Sequence, residues 1–109
     1  MNRGEIWTVS GGPGNAGQPR PALIVQADDY RDTASVAVCL ITTDKTEAPG
    51  LREPIQPTQA NGLRQPSQIM VDKIMALSRN RLGQRVGVLS SNDLARVERA
   101  LLVFLGLAG

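Results

Sequence analysis

Residues 20–26 read RPALIVQ: one arginine, one proline and then an unbroken apolar run. Pro21 fixes its own φ and favours an extended conformation at Arg20. No polar residue alternates within residues 22–25, which is typical of a strand buried on both faces. The stretch therefore predicts a guanidinium held where an ordered strand begins, an arrangement suited to binding a phosphate. A solvated arginine that merely precedes a strand is the alternative.

The rest of the chain predicts five further strands and one terminal helix. Apolar or β-favouring runs at residues 3–9, 35–43, 51–56, 68–76 and 83–88 predict the strands. The run at 35–43 is apolar on both faces and predicts a central strand, whereas the prolines at 54 and 57 predict an edge strand at 51–56. We expect the helix to be capped by Ser91 and to carry an apolar stripe at helical spacing: Leu94, Val97, Leu101, Phe104 and Leu105.

Short strands followed by a single helix predict a strand-rich α+β fold, built as a coiled sheet or a partly open barrel with a C-terminal helix. A length of 109 residues predicts one domain, residues 1–109, with one modest core. The only aromatic residues are Trp7, Tyr30 and Phe104, so the core is expected to be aliphatic and extensive base stacking is disfavoured.

The composition excludes several kinds of site. The chain has no histidine, which excludes histidine-based zinc sites and histidine-dependent acid–base chemistry. Cys39 is the only cysteine, so neither a disulfide framework nor a thiolate metal cluster is expected, and no metal or cofactor is predicted. No signal peptide precedes Arg3, and the apolar run 101–107 is too short to cross a bilayer, so we expect a cytoplasmic protein without a membrane partner.

The charges favour phosphate contacts over a polybasic tail. The net charge is only +2, and all but two of the twelve basic residues are arginine. Arginine suits bidentate phosphate contacts better than lysine does. Codon bias in a GC-rich genome is an equally good explanation of that usage.

Polar residues stand at two positions where the strand pattern makes them informative. Thr42, Thr43 and Asp44 end the predicted central strand, where they are well placed to line a pocket or simply to start a turn. Asp72 interrupts an apolar run, and a carboxylate there needs either a partner, such as an arginine across the sheet, or solvent beside Lys73.

Four stretches, in their order and spacing, resemble the MazF/PemK/Kid toxin family. They are residues 3–7 (RGEIW), 20–26 (RPALIVQ), 41–43 (ITT) and 72–82 (DKIMALSRNRL). The resemblance implies an SH3-like barrel with a C-terminal helix, assembled as a homodimer. It also implies a ribosome-independent endoribonuclease of a toxin–antitoxin pair, which cuts single-stranded RNA at short sequences without a metal. A cognate antitoxin with a disordered acidic segment would cover the RNA groove.

The resemblance also implies roles for individual residues. The RNA 2′-hydroxyl attacks the adjacent phosphate and leaves a 2′,3′-cyclic phosphate and a 5′-hydroxyl. Arg20 matches the family's catalytic arginine, Thr42 its catalytic threonine, and Asp72 the aspartate assigned to proton transfer. A fixed guanidinium would stabilise the charge that gathers on the phosphorane. The positions expected to contact RNA are Asn15, Gln18, Thr43, Lys73, Arg79 and Arg81.

The chain departs from the family pattern at two positions, and two other functions stay open. Gly14 stands where relatives carry a serine proposed to assist catalysis, and Met70 stands where the Kid branch has a second catalytic arginine. A CcdB-like toxin that poisons gyrase is one alternative, although its Trp-Gly-Ile ending is absent from residues 107–109, Leu-Ala-Gly. A catalytically weak barrel that binds only an antitoxin or operator DNA is the other.

Overall fold

A computed structural model of the chain describes residues 1–10 and 18–109. Every predicted strand is present, with ends that differ from the predicted ones by at most two residues. Two short 3₁₀ turns, Asp28–Tyr30 and Arg79–Arg81, interrupt the order. The regular elements are β1 (Glu5–Val9), β2 (Arg20–Ile24), β3 (Ser35–Thr42), β4 (Arg52–Ile55), β5 (Ser67–Ser78), β6 (Leu82–Val88) and α1 (Ser91–Phe104).

The six strands form one antiparallel sheet in the order β4-β5-β3-β2-β1-β6. β3 is central and β4 is an edge strand, as the sequence predicts. In the described part of the chain no pairing joins β4 to β6, so the barrel is only partly closed. One helix and this sheet confirm the predicted α+β class.

The core lies on both faces of the sheet, as β2 and Val25, the residue that follows it, show. Leu23 and Val25 belong to one cluster of buried side chains, whereas Ala22 and Ile24 belong to a second cluster. All four residues are at most 8% exposed. Alternate residues of a strand point to opposite faces, so an apolar run without polar alternation suits a strand that is covered on both sides. Burying one such aliphatic side chain contributes about 1.5–3 kcal/mol.

The loop between β4 and β5 covers the outer strand β6. The backbone N–H of Val88 donates to the carbonyl of Ala60 at 2.9 Å. Asn61 is 1% exposed, and its side chain makes three hydrogen bonds to backbone groups within residues 56–63. A Cβ on Gly87 would lie 2.4 Å from the carbonyl oxygen of Ala60, so only glycine allows this close approach. The loop thus covers a strand edge that would otherwise be open.

Helix α1 packs against the sheet through Val97 and Leu101, which are buried. Its cap is Ser90, whose hydroxyl oxygen accepts the N–H of Asp93 at 3.1 Å. The prediction of Ser91 as the cap is therefore wrong by one residue, because Ser90 has the extended backbone that a cap needs whereas Ser91 is already helical. Among the described residues no helix is both long and apolar enough to span a membrane.

Candidate active site

The sheet register brings Arg20 and Thr42 together. β2 and β3 are antiparallel, with Ala22 level with Leu40. Continuing that register by two residues places Arg20, the first residue of β2, level with Thr42, the last residue of β3. Opposed residues of an antiparallel pair have Cβ atoms only about 5 Å apart and share a face. The two side chains therefore meet at one end of the sheet.

A cavity of about 210 Å³ lies at this end of the sheet. Ligand pockets for drug-sized molecules measure about 300–1,000 Å³, so this cavity suits a phosphate with its nearest atoms better than a whole nucleotide. Two predicted catalytic residues and one predicted RNA-contacting residue are among its lining residues, which are Arg20, Pro21, Ile41, Thr42, Thr43 and Ser67.

A larger cavity of about 400 Å³ lies between α1 and the sheet. Its walls are mainly aliphatic, and its only charged side chains are Arg3 and Glu98, which form an ion pair at 2.8 Å. The two charges of that pair cancel. The residues that line the larger cavity include neither a hydroxyl group nor an unpaired cation. The smaller cavity at Arg20 is therefore the better candidate for chemistry on an anion.

The cation and the hydroxyl at the small cavity are both available to a ligand. Arg20 is exposed, and within residues 1–10 and 18–109 its guanidinium makes neither a hydrogen bond nor an ion pair. The hydroxyl oxygen of Thr42, Oγ1, accepts a hydrogen bond from the backbone N–H of Asp44 at 3.1 Å. Thr43 is exposed and lines the same cavity, and Gln18 is exposed two residues before Arg20 in the chain. Asn15 lies outside the described residues, and so does Gly14, the position where relatives carry a serine.

Asp72 and Lys73 lie in a bulge of β5. Cys39 is level with Ile74 and Ile41 with Ile69, so β5 advances five residues where β3 advances two. Bulges re-aim side chains and are frequent beside active sites. Lys73 is exposed there, whereas Asp72 is partly buried.

The Asp72 side chain is not among those that line the small cavity. Its Oδ1 atom is buried and has no hydrogen-bond partner among the described residues, so the arginine partner considered from the sequence is not found there. Burial and the nearby Asp72 charge raise the pKa of the Cys39 thiol to about 12. Cys39 is therefore a protonated, buried thiol at neutral pH.

The two predicted arginines of the turn after β5 have different surroundings. The Arg81 Nε atom donates to the carbonyl of Ser10 at 2.6 Å, and the neighbouring Val9 is level with Arg20 in the sheet. Arg81 therefore lies at the same end of β1 as Arg20. Arg79 instead follows Ser78, which is level with Ser35 at the opposite end of β3 from Thr42.

Two residues that contact the turn after Thr42 are not among the sequence-predicted site residues. Arg52 is level with Met70 across the β4–β5 pair, which places a guanidinium beside the position where the Kid branch carries its second arginine. Gln68 is level with Thr42 and donates to the loop after β3. Arg52 and Gln68 are brought to this turn by the strand register, which the sequence does not show. The local signal in the sequence is Asp44, two residues after Thr42, which indicates an ordered turn.

Within the part of the chain that the structure describes, no group of three or more Cys, Asp or Glu side chains is placed to hold a metal ion. That the protein needs no cofactor stays a prediction.

Comparison with known proteins gives a consistent result. A family model described as "PemK-like, MazF-like toxin of type II toxin-antitoxin system" matches residues 2–105. The chain is 49% identical, over the full length of both proteins, to a probable endoribonuclease MazF of Mycolicibacterium smegmatis. It is 30% identical to endoribonuclease MazF6 of Mycobacterium tuberculosis, covering 93% of each chain.

Solved structures share the fold. A mycobacterial endoribonuclease in complex with its cognate antitoxin superimposes with a TM-score of 0.80 and 24% identity, covering 100% of this chain and 98% of the other. At that identity the likeness supports the fold, and the family assignment depends on the sequence matches.

Proposed function

Because the chain belongs to the family of PemK-like, MazF-like toxins of type II toxin–antitoxin systems, we propose that it is a sequence-specific endoribonuclease toxin. Its substrate is single-stranded RNA, which it cuts independently of the ribosome and without a metal ion. The observation that carries the proposal is the placement of Arg20 beside Thr42 in one small cavity.

The proposed reaction is an internal displacement at phosphorus. The ribose 2′-oxygen attacks the adjacent phosphorus, the bond from phosphorus to the 5′-oxygen breaks, and the products are a 2′,3′-cyclic phosphate and a 5′-hydroxyl. The proton of the 2′-hydroxyl is removed and the 5′-oxygen takes one up. Negative charge grows on the non-bridging oxygens in the transition state, where the Arg20 guanidinium and the Thr42 hydroxyl stabilise it. Arginine stays protonated because its pKa exceeds about 12, so it is not the base.

Asp72 is the proposed base, since the chain has no histidine. Two observations support it: the bulge that re-aims this part of β5, and a buried carboxylate oxygen without a hydrogen-bond partner among the described residues. Buried polar atoms are almost always paired, so an unpaired one calls for an explanation, and a catalytic role is one such explanation. Ser67 of β5 lines the cavity and Asp72 lies further along the same strand, so this role requires the 2′-hydroxyl to be bound within hydrogen-bond distance of the Asp72 carboxylate.

The remaining predicted contacts bind the RNA around the cleaved phosphate. Thr43 lines the cavity, Gln18 is exposed two residues before Arg20, and Arg81 bonds to the carbonyl of Ser10 just after β1. We assign them phosphate and base contacts, together with Lys73 and, beyond the described residues, Asn15. Arg79 lies at the other end of β3, so its contact with RNA requires a longer substrate path.

We propose that the toxin acts in the cytoplasm as a homodimer and is neutralised by a cognate antitoxin. Support for the dimer comes from apolar side chains that remain exposed on and after α1, namely Leu102, Val103, Phe104, Leu105 and Leu107. Support for the antitoxin comes from structural neighbours solved as toxin–antitoxin complexes. The excess of arginine suits an acidic, disordered segment that folds on binding.

The test is to incubate the purified protein with a long RNA in EDTA and to map the new 5′ ends. We expect cuts at one short sequence, 5′-hydroxyl ends that accept phosphate from a kinase, and 2′,3′-cyclic phosphates on the other fragments. Addition of magnesium should leave the rate unchanged, and DNA of the same sequence should stay intact for want of a 2′-hydroxyl. Intact RNA, or cleavage that strictly requires a divalent cation, contradicts the proposal.

A further inference from the structure

We propose that Asp44 and Gln68 are positioning residues, which hold the Thr42 hydroxyl so that its proton points at the reacting phosphate. The inference deepens the proposed nuclease function and rests on it. Neither residue needs to touch the RNA, because each acts through Thr42.

Asp44 shapes a tight turn directly after β3. Its backbone N–H donates to the Thr42 Oγ1 atom at 3.1 Å. Its own Oδ1 atom accepts the backbone N–H of Thr46 at 2.9 Å and the Thr46 hydroxyl at 2.8 Å. These two bonds from Thr46 fix the conformation of the turn. The fixed turn keeps the backbone N–H of Asp44 in contact with the Thr42 Oγ1 atom.

Gln68 fastens that turn to the sheet. It is level with Thr42 in the β3–β5 pair, and its Nε2 atom donates to the carbonyl oxygens of Asp44 at 2.7 Å and of Thr46 at 3.0 Å. Arg52 adds an ion pair, with its Nη1 atom 3.7 Å from Asp44 Oδ2. The turn is thus tied to β5 and β4, which are rigid parts of the sheet.

These contacts decide which role the Thr42 hydroxyl can play. A threonine hydroxyl has one proton to donate and two lone pairs that accept. One lone pair is occupied by the Asp44 N–H, and no acceptor for the proton is present among the described residues. The proton is therefore available to a ligand oxygen in the cavity that Thr42 lines. A donor fixed in advance stabilises developing charge without reorganising during the reaction.

The turn has little else to do for the fold. The Asp44 side chain is 55% exposed, and the hydrogen bonds of the turn lie at the surface. Exposed polar contacts contribute little to stability. Misplacing a reacting group by about 1 Å, by contrast, can cost about a hundredfold in rate. The effect of these residues should therefore appear in kcat rather than in unfolding.

The experiment is a double-mutant cycle on an oligonucleotide that carries one ribonucleotide at the mapped cleavage position. Asp44→Ala and Gln68→Ala are made singly and in a Thr42→Ala background. We expect each single change to lower kcat by about tenfold, with KM within about twofold of the wild-type value. In the Thr42→Ala background neither change should lower kcat further, because the group through which they act is gone.

Two further variants keep the result specific. Asp44→Asn retains the oxygen that accepts from Thr46, and should keep kcat within about threefold of wild type. Asp28→Ala is the matched control, because Asp28 also accepts a backbone N–H, that of Arg3 at 2.7 Å, but lies in the 3₁₀ turn Asp28–Tyr30 and makes no contact with Thr42 or its turn among the described residues. It should leave kcat unchanged in both backgrounds.

The possible outcomes separate this inference from the proposed function. If the wild type cuts RNA and Thr42→Ala is impaired, but Asp44→Ala lowers kcat by the same factor in both backgrounds, the positioning role is wrong and the nuclease stands. An unchanged kcat in Asp44→Ala and Gln68→Ala also overturns it. If the wild type leaves RNA intact, the proposed function and this inference fail together.

Discussion

The two ends of strand β3 carry the same kinds of polar residues, but the arginine at one end is bonded within the protein and the arginine at the other is not. An eight-residue strand separates them by roughly 23 Å. At the Thr42 end, Arg20 has no partner within the described residues and lines an open cavity. At the Ser35 end, Arg79 donates to the carbonyl of Thr33 at 2.7 Å and contacts the Met1 sulfur at 2.8 Å.

Other polar groups at the Ser35 end are also bonded to one another. Gln26 donates to the carbonyl of Tyr30 at 2.7 Å and to the Thr33 hydroxyl at 3.0 Å, and its Oε1 atom accepts the N–H of Ala37 at 3.2 Å. Polar groups that bond within the protein stabilise loops, and groups left unbonded at a cavity remain available to a ligand. The Ser35 end thus holds polar groups that bond within the protein, whereas the Thr42 end presents a guanidinium and a hydroxyl to a ligand, as the proposed function requires.

Replacing Arg20 should give the largest effect on activity. We expect Arg20→Ala to lower kcat/KM for RNA cleavage by about a hundredfold or more, since it removes a preorganised donor to the transition state. Because Arg20 has no partner in the described chain, the free energy of unfolding should stay unchanged, as measured by urea denaturation. Arg31→Ala, at the other end of β3, is the control. Near-normal cleavage by folded Arg20→Ala would remove this residue from the mechanism.

Asp72→Asn should have the next largest effect. The amide keeps the size of the carboxylate but cannot take up a proton, so we expect kcat to fall by about a hundredfold if this group is the base. KM and the unfolding midpoint should change little, because the buried oxygen has no hydrogen-bond partner to lose among the described residues. A kcat equal to that of wild type would assign the proton transfer to solvent instead.

Arg79→Ala and Arg81→Ala test two guanidinium groups of one 3₁₀ turn that bond in different directions, Arg79 toward the Ser35 end of β3 and Arg81 toward the end of β1. We expect Arg79→Ala to lower the free energy of unfolding by about 1–2 kcal/mol, since it removes hydrogen bonds from a charged donor. Its RNA affinity should hardly change. Arg81→Ala should reduce the slope of log affinity against log salt by about 0.7, the value for one phosphate contact on a single strand.

The opposite pattern would contradict the comparison. If Arg79→Ala reduces the salt slope and leaves stability intact, the RNA path extends to the Ser35 end, as the family resemblance allows.

The smallest expected effect is the titration of Asp44. The backbone N–H and the hydroxyl of Thr46 hold the pKa of Asp44 below its usual value. Since the pKa is lower in the folded chain, the turn contributes stability above the unfolded-state pKa, and that contribution is lost as the pH falls through the folded-state pKa. The carboxyl resonance in NMR should titrate below about 3.9. Thr46→Val removes the hydroxyl donor and should raise the titration midpoint of Asp44. A wild-type midpoint at or above about 3.9 would contradict the hydrogen bonds from Thr46 to the Asp44 carboxylate.

The sequence predicted the strands because their signals are local. The apolar run 22–25, which has no alternating polar residue, indicates that this strand is covered on both faces. Pro54 indicates that β4 lies at an edge of the sheet. The cap of α1 was displaced by one residue because Ser90 and Ser91 are chemically the same, and only the backbone conformation distinguishes them. Local pattern thus fixes the kind of element more firmly than its end.

The sequence by itself determined the elements, the two-sided burial of β2 and the cation at its start, since these follow from neighbouring residues. Only the tertiary structure decided which polar groups meet. Gln68 bonds to Asp44 across 24 positions of the chain, and Arg20 reaches Thr42 through the register of two strands. The physical reason is that hydrogen bonds act over about 3 Å, and distances that short between remote residues are set by sheet register.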